Sequence, residues 1–136
     1  SGLCLMGVTT PVWGAEPALG DDACRSLENG QLLRNPSEPL TIADGARTVS
    51  LGLQNWEILS TAMKQAVRVS EDNIRRALAL YAQCDLRVEP TGALTLGALL
   101  EHPKLFEGKK VILIISGGNV DQEIWEQEVS LGQSLL

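Results

Sequence analysis

Long apolar runs, clustered cysteines and an excess of positive charge are all missing from this sequence of 136 residues. The longest purely apolar run, residues 111–115, is far shorter than the roughly 20 residues that a membrane-spanning helix needs. A formal net charge of -6 provides no basic surface for nucleic acid or for an anionic membrane. The N-terminus has no secretory signal pattern, and we therefore expect a cytoplasmic protein that binds neither nucleic acid nor a membrane.

Cysteine and histidine are too sparse for the usual metal and hydrolase motifs. The three cysteines, Cys4, Cys24 and Cys84, contain no CxxC pair, and we expect all three to be buried free thiols. The single histidine, His102, precedes a proline in a context that favours a solvated side chain. No GxSxG and no HExxH motif occurs, so neither a nucleophile elbow nor a zinc-protease helix is indicated.

What the sequence does contain is an alternation of strand and helix patterns. Strands are predicted at residues 11–15, 66–69 and 111–115, and a loop at residues 31–45. Helices are predicted from Asp21 or Asp22 to Gly30, over residues 55–64, after the N-cap Ser70, from Pro90 to before Pro103, and from Asp121 onwards. This order, with one fully apolar strand, implies the α/β class: a parallel sheet with helices on both faces.

The same pattern indicates a single domain that is not complete. A chain of this length corresponds to about one average domain. Three predicted strands form only a partial parallel sheet, and its apolar edges need to be covered. We therefore expect residues 1–136 to be one incomplete α/β domain, whose exposed sheet edge favours a homo-oligomer.

The first candidate site is the glycine turn Ser116-Gly117-Gly118-Asn119, which follows the predicted apolar strand and precedes a predicted helix. Ligands of open α/β sheets bind beyond the carboxyl ends of the strands, where this turn belongs. Glycines let a ligand approach the backbone closely, and a serine hydroxyl can donate or accept a hydrogen bond. The alternative interpretation is a tight strand-to-helix turn without a ligand.

The second candidate site is acidic. Glu16 and Asp22 are two carboxylates separated by a turn-like segment, and oxygen ligands of this kind suit a hard cation. The alternative is an acidic helix N-terminus in which Asp21 or Asp22 serves as the cap. A third segment, Thr41-Ile42-Ala43-Asp44-Gly45, is either part of a site or only a turn.

Taken in order, these segments resemble the C-terminal part of the large cofactor domain of serine/threonine dehydratases and serine racemases. These are type II pyridoxal-phosphate (PLP) enzymes with a tryptophan-synthase-β-type fold. The matching segments are residues 12–17 (VWGAEP), 20–23 (GDDA), 41–45 (TIADG), Trp56, 69–74 (VSEDNI), 88–93 (VEPTGA) and 115–121 (ISGGNVD). The intact TIADG and AEPALGDDA patterns point to the branch of the racemases and threo-3-hydroxyaspartate dehydratases.

The resemblance implies a set of cofactor-binding residues. In that family the serine of the glycine turn hydrogen-bonds the pyridine nitrogen of PLP, which assigns this contact to Ser116. A hydroxyl partner leaves that nitrogen largely unprotonated, which suits elimination or racemisation. Gly117 and Asn119 belong to the same turn, and Glu89 and Gly45 match positions on the cofactor or substrate side.

The resemblance also implies a cation site and a reaction. Glu16, the carbonyl of Gly20, and Asp22 match an Mg²⁺ or Ca²⁺ site of the racemase-like branch. The implied function is that of an ammonia-lyase which converts a β-hydroxy amino acid, such as serine, threonine or 3-hydroxyaspartate, to a 2-oxo acid and ammonia. The same resemblance allows racemase activity beside it.

Two parts of the family's site are missing from these 136 residues. The Schiff-base lysine of the family lies in an SxKxRG segment, and none of the four lysines has that context (Lys64, Lys104, Lys109 and Lys110). The glycine run that holds the PLP phosphate is also absent. We therefore expect this chain to be part of a larger enzyme and to be inactive alone. The alternatives are a non-catalytic relic that acts as a binding or oligomerising module, and an unrelated cation-binding α/β module.

Overall fold

The sheet consists of two parallel strands in a computed structural model that describes residues 1–7 and 9–136. Strand β1 (Trp13–Pro17) pairs with β2 (Gln65–Val69), with Trp13 opposite Gln65 and Pro17 opposite Val69. The helices of the described residues are α1 (Gly2–Leu5), α2 (Asp22–Asn29), α3 (Leu53–Ala62), α4 (Glu71–Gln83), α5 (Pro90–Glu101), α6 (Pro103–Phe106) and α7 (Gln122–Gln133). Short 3₁₀ turns lie at Ala18–Gly20 and Asp44–Ala46.

Local signals in the sequence place three of the helix ends. Gly30 ends α2 in the left-handed conformation, with φ of 67°, where a glycine carries no steric penalty. The Ser70 side chain accepts a hydrogen bond from the backbone N–H of Asn73 and so caps α4. Asp121 caps α7 by accepting from the N–H groups of Glu123 and Ile124. The predicted helix ends at these positions are confirmed.

Helices cover both faces of the sheet. Neighbouring strand residues point to opposite faces, and Val69 lies on the α5 side, where its Cγ1 atom is close to Gly97. The next residue back, Arg68, points the other way and forms ion pairs with Asp21 and with Glu28 of α2. The predicted α/β class and the two-sided cover of the sheet are therefore confirmed.

The core lies where α5 packs against α4 and β2, and where α4 packs against α7. Its largest fully buried apolar side chains are Ile74, Leu78 and Val69. Ile74 and Leu78 belong to an amphipathic stripe that the sequence of α4 predicts from apolar residues at helical spacing, namely Ile74, Ala77, Leu78, Tyr81 and Ala82. The stripe therefore predicted correctly which face of this helix is buried.

The third predicted strand is wrong. Residues 111–115 are not part of a strand, and the sheet order of the described residues contains β1 and β2 only. A strand requires a neighbouring backbone to complete its ladder of hydrogen bonds, and the described residues supply none here. The apolar side chains are accordingly exposed, 86% in the case of Ile112 and 52% in that of Ile114.

Two predictions about polar side chains also need correction. His102 is half-buried rather than solvated, and its Nε2–H donates to the backbone carbonyl of Arg68 at 2.9 Å. Of the three free thiols only Cys24 is buried, since Cys4 is half-buried and Cys84 lies on the surface. Among the described residues, no helix has both the length and the apolar character needed to cross a membrane.

Candidate functional site

The glycine turn packs against the N-terminal end of α5. The backbone N–H of Glu89 donates to the carbonyl of Gly117 at 3.3 Å, and a carboxylate oxygen of Glu89 accepts from the N–H of Asn119 at 3.2 Å. Gly117 has φ of 82°, and a Cβ atom there would overlap the Glu89 carboxylate. The positive φ favours glycine at this position, and the structure brings together Glu89, Gly117 and Asn119.

The Ser116 side chain is exposed at the start of this turn. Its hydroxyl can therefore meet a ligand that approaches from solvent, as donor or as acceptor. Beyond the turn, the guanidinium of Arg87 donates to the carbonyl of Val120 at 2.6 Å and to the side chain of Gln122 at 2.5 Å. Arg87 thereby connects the start of α7 to the segment that precedes α5. The partners are more than 30 residues apart, so no local sequence pattern predicts this contact.

The Thr41–Gly45 loop reaches the same end of α5. The N–H of Gly45 donates to the hydroxyl of Thr91 at 3.0 Å, and a Cβ atom at Gly45 would lie only 2.9 Å from that oxygen. Thr91 is two residues beyond Glu89 in the first turn of α5. Gly45 therefore lies on the surface, at the same end of α5 as the glycine turn.

The acidic residues meet in a different place. Glu16, Gly20 and Asp22 line one cleft of about 240 Å³ beside β1, and the rest of its lining is mainly apolar, including Ala46, Leu51, Leu59 and Met63. The structure thus brings the three predicted cation ligands together. No group of three or more histidine, cysteine, aspartate or glutamate side chains suited to a metal occurs within residues 1–7 and 9–136. The predicted site uses two carboxylates and a main-chain carbonyl instead.

The alternative interpretation, an acidic helix N-terminus, is correct in position, since Asp21 is the N-cap residue of α2 and Asp22 lies in its first turn. The side chain of Asp21 makes no capping hydrogen bond and instead pairs with Arg25 at 2.7 Å and with Arg68 at 2.8 Å. The cap of α2 comes from Glu16 on β1, whose carboxylate accepts from the N–H groups of Ala23 and Cys24 at 3.2 Å and 2.5 Å. A cap donated by a preceding strand has no signature in the helix's own sequence.

Burial makes both carboxylates of the cleft costly to ionise. It raises the pKa of Glu16, which the negative charge of Asp22 raises further, against the opposing effect of hydrogen bonds from α2. Burial also raises the pKa of Asp22, whose two oxygens accept from Asn35 at 2.9 Å and from the N–H of Leu51 at 3.0 Å. Each oxygen keeps a second lone pair. A pair of mutually repelling acids with spare lone pairs fits a divalent cation.

Sequence reasoning missed the residue that holds the Thr41–Gly45 loop. In the sequence, Glu71 is notable only as an acidic residue in the first turn of a predicted helix, where the helix dipole favours negative charge. In the structure, the carboxylate of Glu71 accepts from the Thr41 hydroxyl at 2.7 Å and from the N–H of Ile42 at 2.8 Å. The partners are about 30 positions apart in the chain, and no local pattern signals such a contact.

The fold and the site define an α/β protein with a glycine turn at the end of one helix and an acidic cleft beside its sheet. The family described as "Pyridoxal-phosphate dependent enzyme" matches residues 2–117. The chain is 36% identical over 113 residues to L-threo-3-hydroxyaspartate ammonia-lyase of Pseudomonas sp, with 82% of this chain and 35% of the relative covered. It is 39% identical over 114 residues to serine racemase of Mus musculus, with 81% and 33% covered.

Solved structures agree with these sequence matches. Serine racemase of Dictyostelium discoideum superposes with a TM-score of 0.76 at 35% identity, over 88% of this chain and 40% of the other. Maize serine racemase superposes with a TM-score of 0.79 at 31% identity, over 94% and 41%. The chain therefore belongs to the pyridoxal-phosphate dependent enzyme family and has the fold of its type II members. It spans about a third of the length of the curated relatives named above, 35% and 33%.

Proposed function

We propose that this chain is the part of a PLP-dependent ammonia-lyase that contacts the pyridine ring of the cofactor and carries a structural cation. The substrate would be a small β-hydroxy amino acid, and the products a 2-oxo acid and ammonia, with racemisation as a side activity. The observation that supports this most is the meeting of Ser116, Glu89 and Gly45 at one end of α5. These residues are far apart in sequence, and the family resemblance had assigned all of them to the cofactor side.

The residues on this face have separable roles. When bound, PLP would draw electrons from the α-carbon of the amino acid and so ease loss of the β-hydroxyl or of the α-proton. The hydroxyl of Ser116 would hydrogen-bond the pyridine nitrogen and orient the ring. Glu89 would keep the turn in shape through its contacts with Gly117 and Asn119. Gly45, with no side chain, would leave room for the ring.

The cation belongs to the same proposal. Mg²⁺ or Ca²⁺ would bind to the carboxylates of Glu16 and Asp22 and to the carbonyl of Gly20. Burial chiefly raises the pKa of Glu16 and the charge of Asp22 adds to it, and the positive charge of the cation would oppose both effects by favouring the ionised carboxylates. The cation would thereby link β1, the start of α2 and the following loop, all of which line the cleft. A cytoplasmic location and a homo-oligomeric state remain proposals that depend on sequence pattern alone.

The Ser116→Ala substitution in the native holoprotein tests the cofactor contact. We expect PLP to be released about two- to tenfold faster, the value of one net hydrogen bond, and the absorbance of the bound cofactor to change. The matched control is Ser130→Ala, which removes a hydroxyl from an exposed position of α7. Unchanged turnover and PLP retention in Ser116→Ala would show that the assignment is wrong.

A further inference from the structure

Glu71, in the first turn of α4, makes a two-point contact with a loop that is distant in sequence. Its carboxylate takes one hydrogen bond from the Thr41 hydroxyl and one from the backbone N–H of Ile42, at 2.7 Å and 2.8 Å. Thr41 is 1% exposed, whereas Glu71 and Ile42 are half-buried, so the contact is partly shielded from water. Hydrogen bonds to a charged group are about twice as strong as those between neutral groups.

The segment that Glu71 contacts, Thr41 and Ile42, continues directly to the candidate cofactor site at the end of α5. The Thr41 hydroxyl also accepts a hydrogen bond from the N–H of Ala43 at 3.1 Å. The backbone carbonyl of Thr41 accepts one from the Arg47 side chain at 2.9 Å. Ala43 is fully buried, with 0% exposure. Two residues further, the loop reaches Gly45 and its hydrogen bond to Thr91 in the first turn of α5.

We propose that Glu71 is a positioning residue for the cofactor site. It acts through Thr41 and Ile42 to fix the path of the loop, and the loop in turn places the bare surface of Gly45 beside the end of α5 that carries Glu89. This inference rests on the proposed function, because it assigns to Glu71 the placing of a wall of the PLP site.

A comparison of Glu71→Gln with Asp72→Asn in the native holoprotein tests the inference. Asp72 lies in the same first turn of α4, carries the same charge and is 69% exposed, so its substitution reproduces the change in helix-dipole interaction without the loop contact. A glutamine can accept only one of the two hydrogen bonds and turns an NH₂ group towards the other donor. The readouts are amide hydrogen exchange at Ile42 and Ala43, and the rate of PLP release.

We expect faster amide exchange and faster PLP release in Glu71→Gln, and neither change in Asp72→Asn. Exchange at Ile42 and Ala43 should be about tenfold faster than in Asp72→Asn, and PLP release about two- to tenfold faster, with an altered fluorescence of the bound cofactor. Unchanged exchange overturns the proposal whatever happens to the cofactor. Faster exchange with control-like PLP release also overturns it, because the loop would then be held without serving the site.

A second variant covers the case in which Glu71→Gln does not fold. Thr41→Val removes the hydroxyl but leaves the carboxylate, and it should produce the same faster exchange at Ala43 together with faster PLP release. Failure of the unsubstituted protein to bind PLP overturns the proposed function and this inference with it. PLP binding by the unsubstituted protein is therefore measured first, which separates a failure of the proposed function from a failure of this inference alone.

Discussion

At the scale of single residues, ionising Glu16 and Asp22 in the acidic cleft is unfavourable, and a bound cation would reduce this free-energy cost. The pKa values of Glu16 and Asp22 are raised, chiefly by burial. A carboxyl whose folded-state pKa exceeds its unfolded value stabilises the fold below the unfolded pKa, ordinarily near 4, and this contribution is lost as pH rises through the folded value. Without a cation, the cleft therefore weakens the fold at neutral pH.

Divalent cation binding should depend on pH in the range above that of ordinary carboxyls. Binding needs the charged forms of Glu16 and Asp22, so affinity should fall as pH decreases through their raised pKa values, and protons should be released on binding. Calorimetric titration with Mg²⁺ and Ca²⁺ in buffers of different ionisation heat measures both effects.

Asp22→Asn separates this site from adventitious surface binding. We expect affinity to fall by about tenfold or more, because one of two ligand charges is lost from a shielded cleft. Glu57→Gln, at an exposed position of α3, makes the same change in net charge and should have no effect. Equal affinities of the two variants, with circular dichroism showing both folded, would contradict the assignment of the cation site.

At the scale of the elements, the contact between α4 and α7 leaves no room for a side chain at Gly132. A Cβ atom at Gly132 would overlap the carbonyl oxygen of Arg75. The same pair of helices is joined by an ion pair between Arg75 and the largely buried Glu128, with an N···O distance of 2.7 Å. Because the obstructing atom belongs to a backbone, the two helices would have to separate to admit a side chain.

Gly132→Ala should therefore destabilise the protein, although the same change in an exposed helix stabilises by about 0.5–1 kcal/mol. Overpacking costs about 1–3 kcal/mol, and the loss of helix contact should exceed the gain in propensity. We expect a melting temperature lower by roughly 2–8 °C. Gln133→Ala, at the next and exposed position, should be neutral or slightly stabilising. A Gly132→Ala variant that melts higher than the parent would show that the helices can adjust freely.

The elements also show which features a sequence can predict. The caps Ser70 and Asp121 and the stop at Gly30 depend on residues within a few positions, and these predictions were correct. The apolar run at residues 111–115 was misjudged because a strand needs a neighbour, which sequence pattern cannot supply.

Contacts between residues that are distant in sequence could not be predicted either, because a local pattern does not show which segments meet in space. His102 bonds a carbonyl 34 residues away, and Glu101 accepts hydrogen bonds from Ser70 and Asn73 across the interior. Burial alone would raise the pKa of Glu101, but these hydrogen bonds together lower it. The family resemblance supplied part of the missing information, because it assigned Ser116, Glu89 and Gly45 to the cofactor or substrate side. It gave no information about Glu71.

At the scale of the whole molecule, the open question is how much of a cofactor site these 136 residues hold. The four lysines, Lys64, Lys104, Lys109 and Lys110, are all exposed. A lysine that forms a Schiff base with PLP is usually activated by burial in an apolar pocket or by a neighbouring cation. In the proposed site the glycine turn and the Thr41–Gly45 loop would provide a surface for the ring, but neither supplies such an amine.

We therefore expect the 136-residue chain to react with PLP without preference for one lysine. After incubation with PLP and reduction with borohydride, peptide mass spectrometry should find low and similar labelling at all four lysines, rising with PLP concentration. Ser116→Ala should label identically, because an exposed amine gains nothing from a distant hydroxyl. A polypeptide that also contains an SxKxRG segment should instead be labelled at that lysine, in proportion of about one PLP per chain. Near-complete labelling of a single lysine in the 136-residue chain, lost in Ser116→Ala, would mean that these residues already form a working cofactor site, and the family's lysine would then have a substitute here.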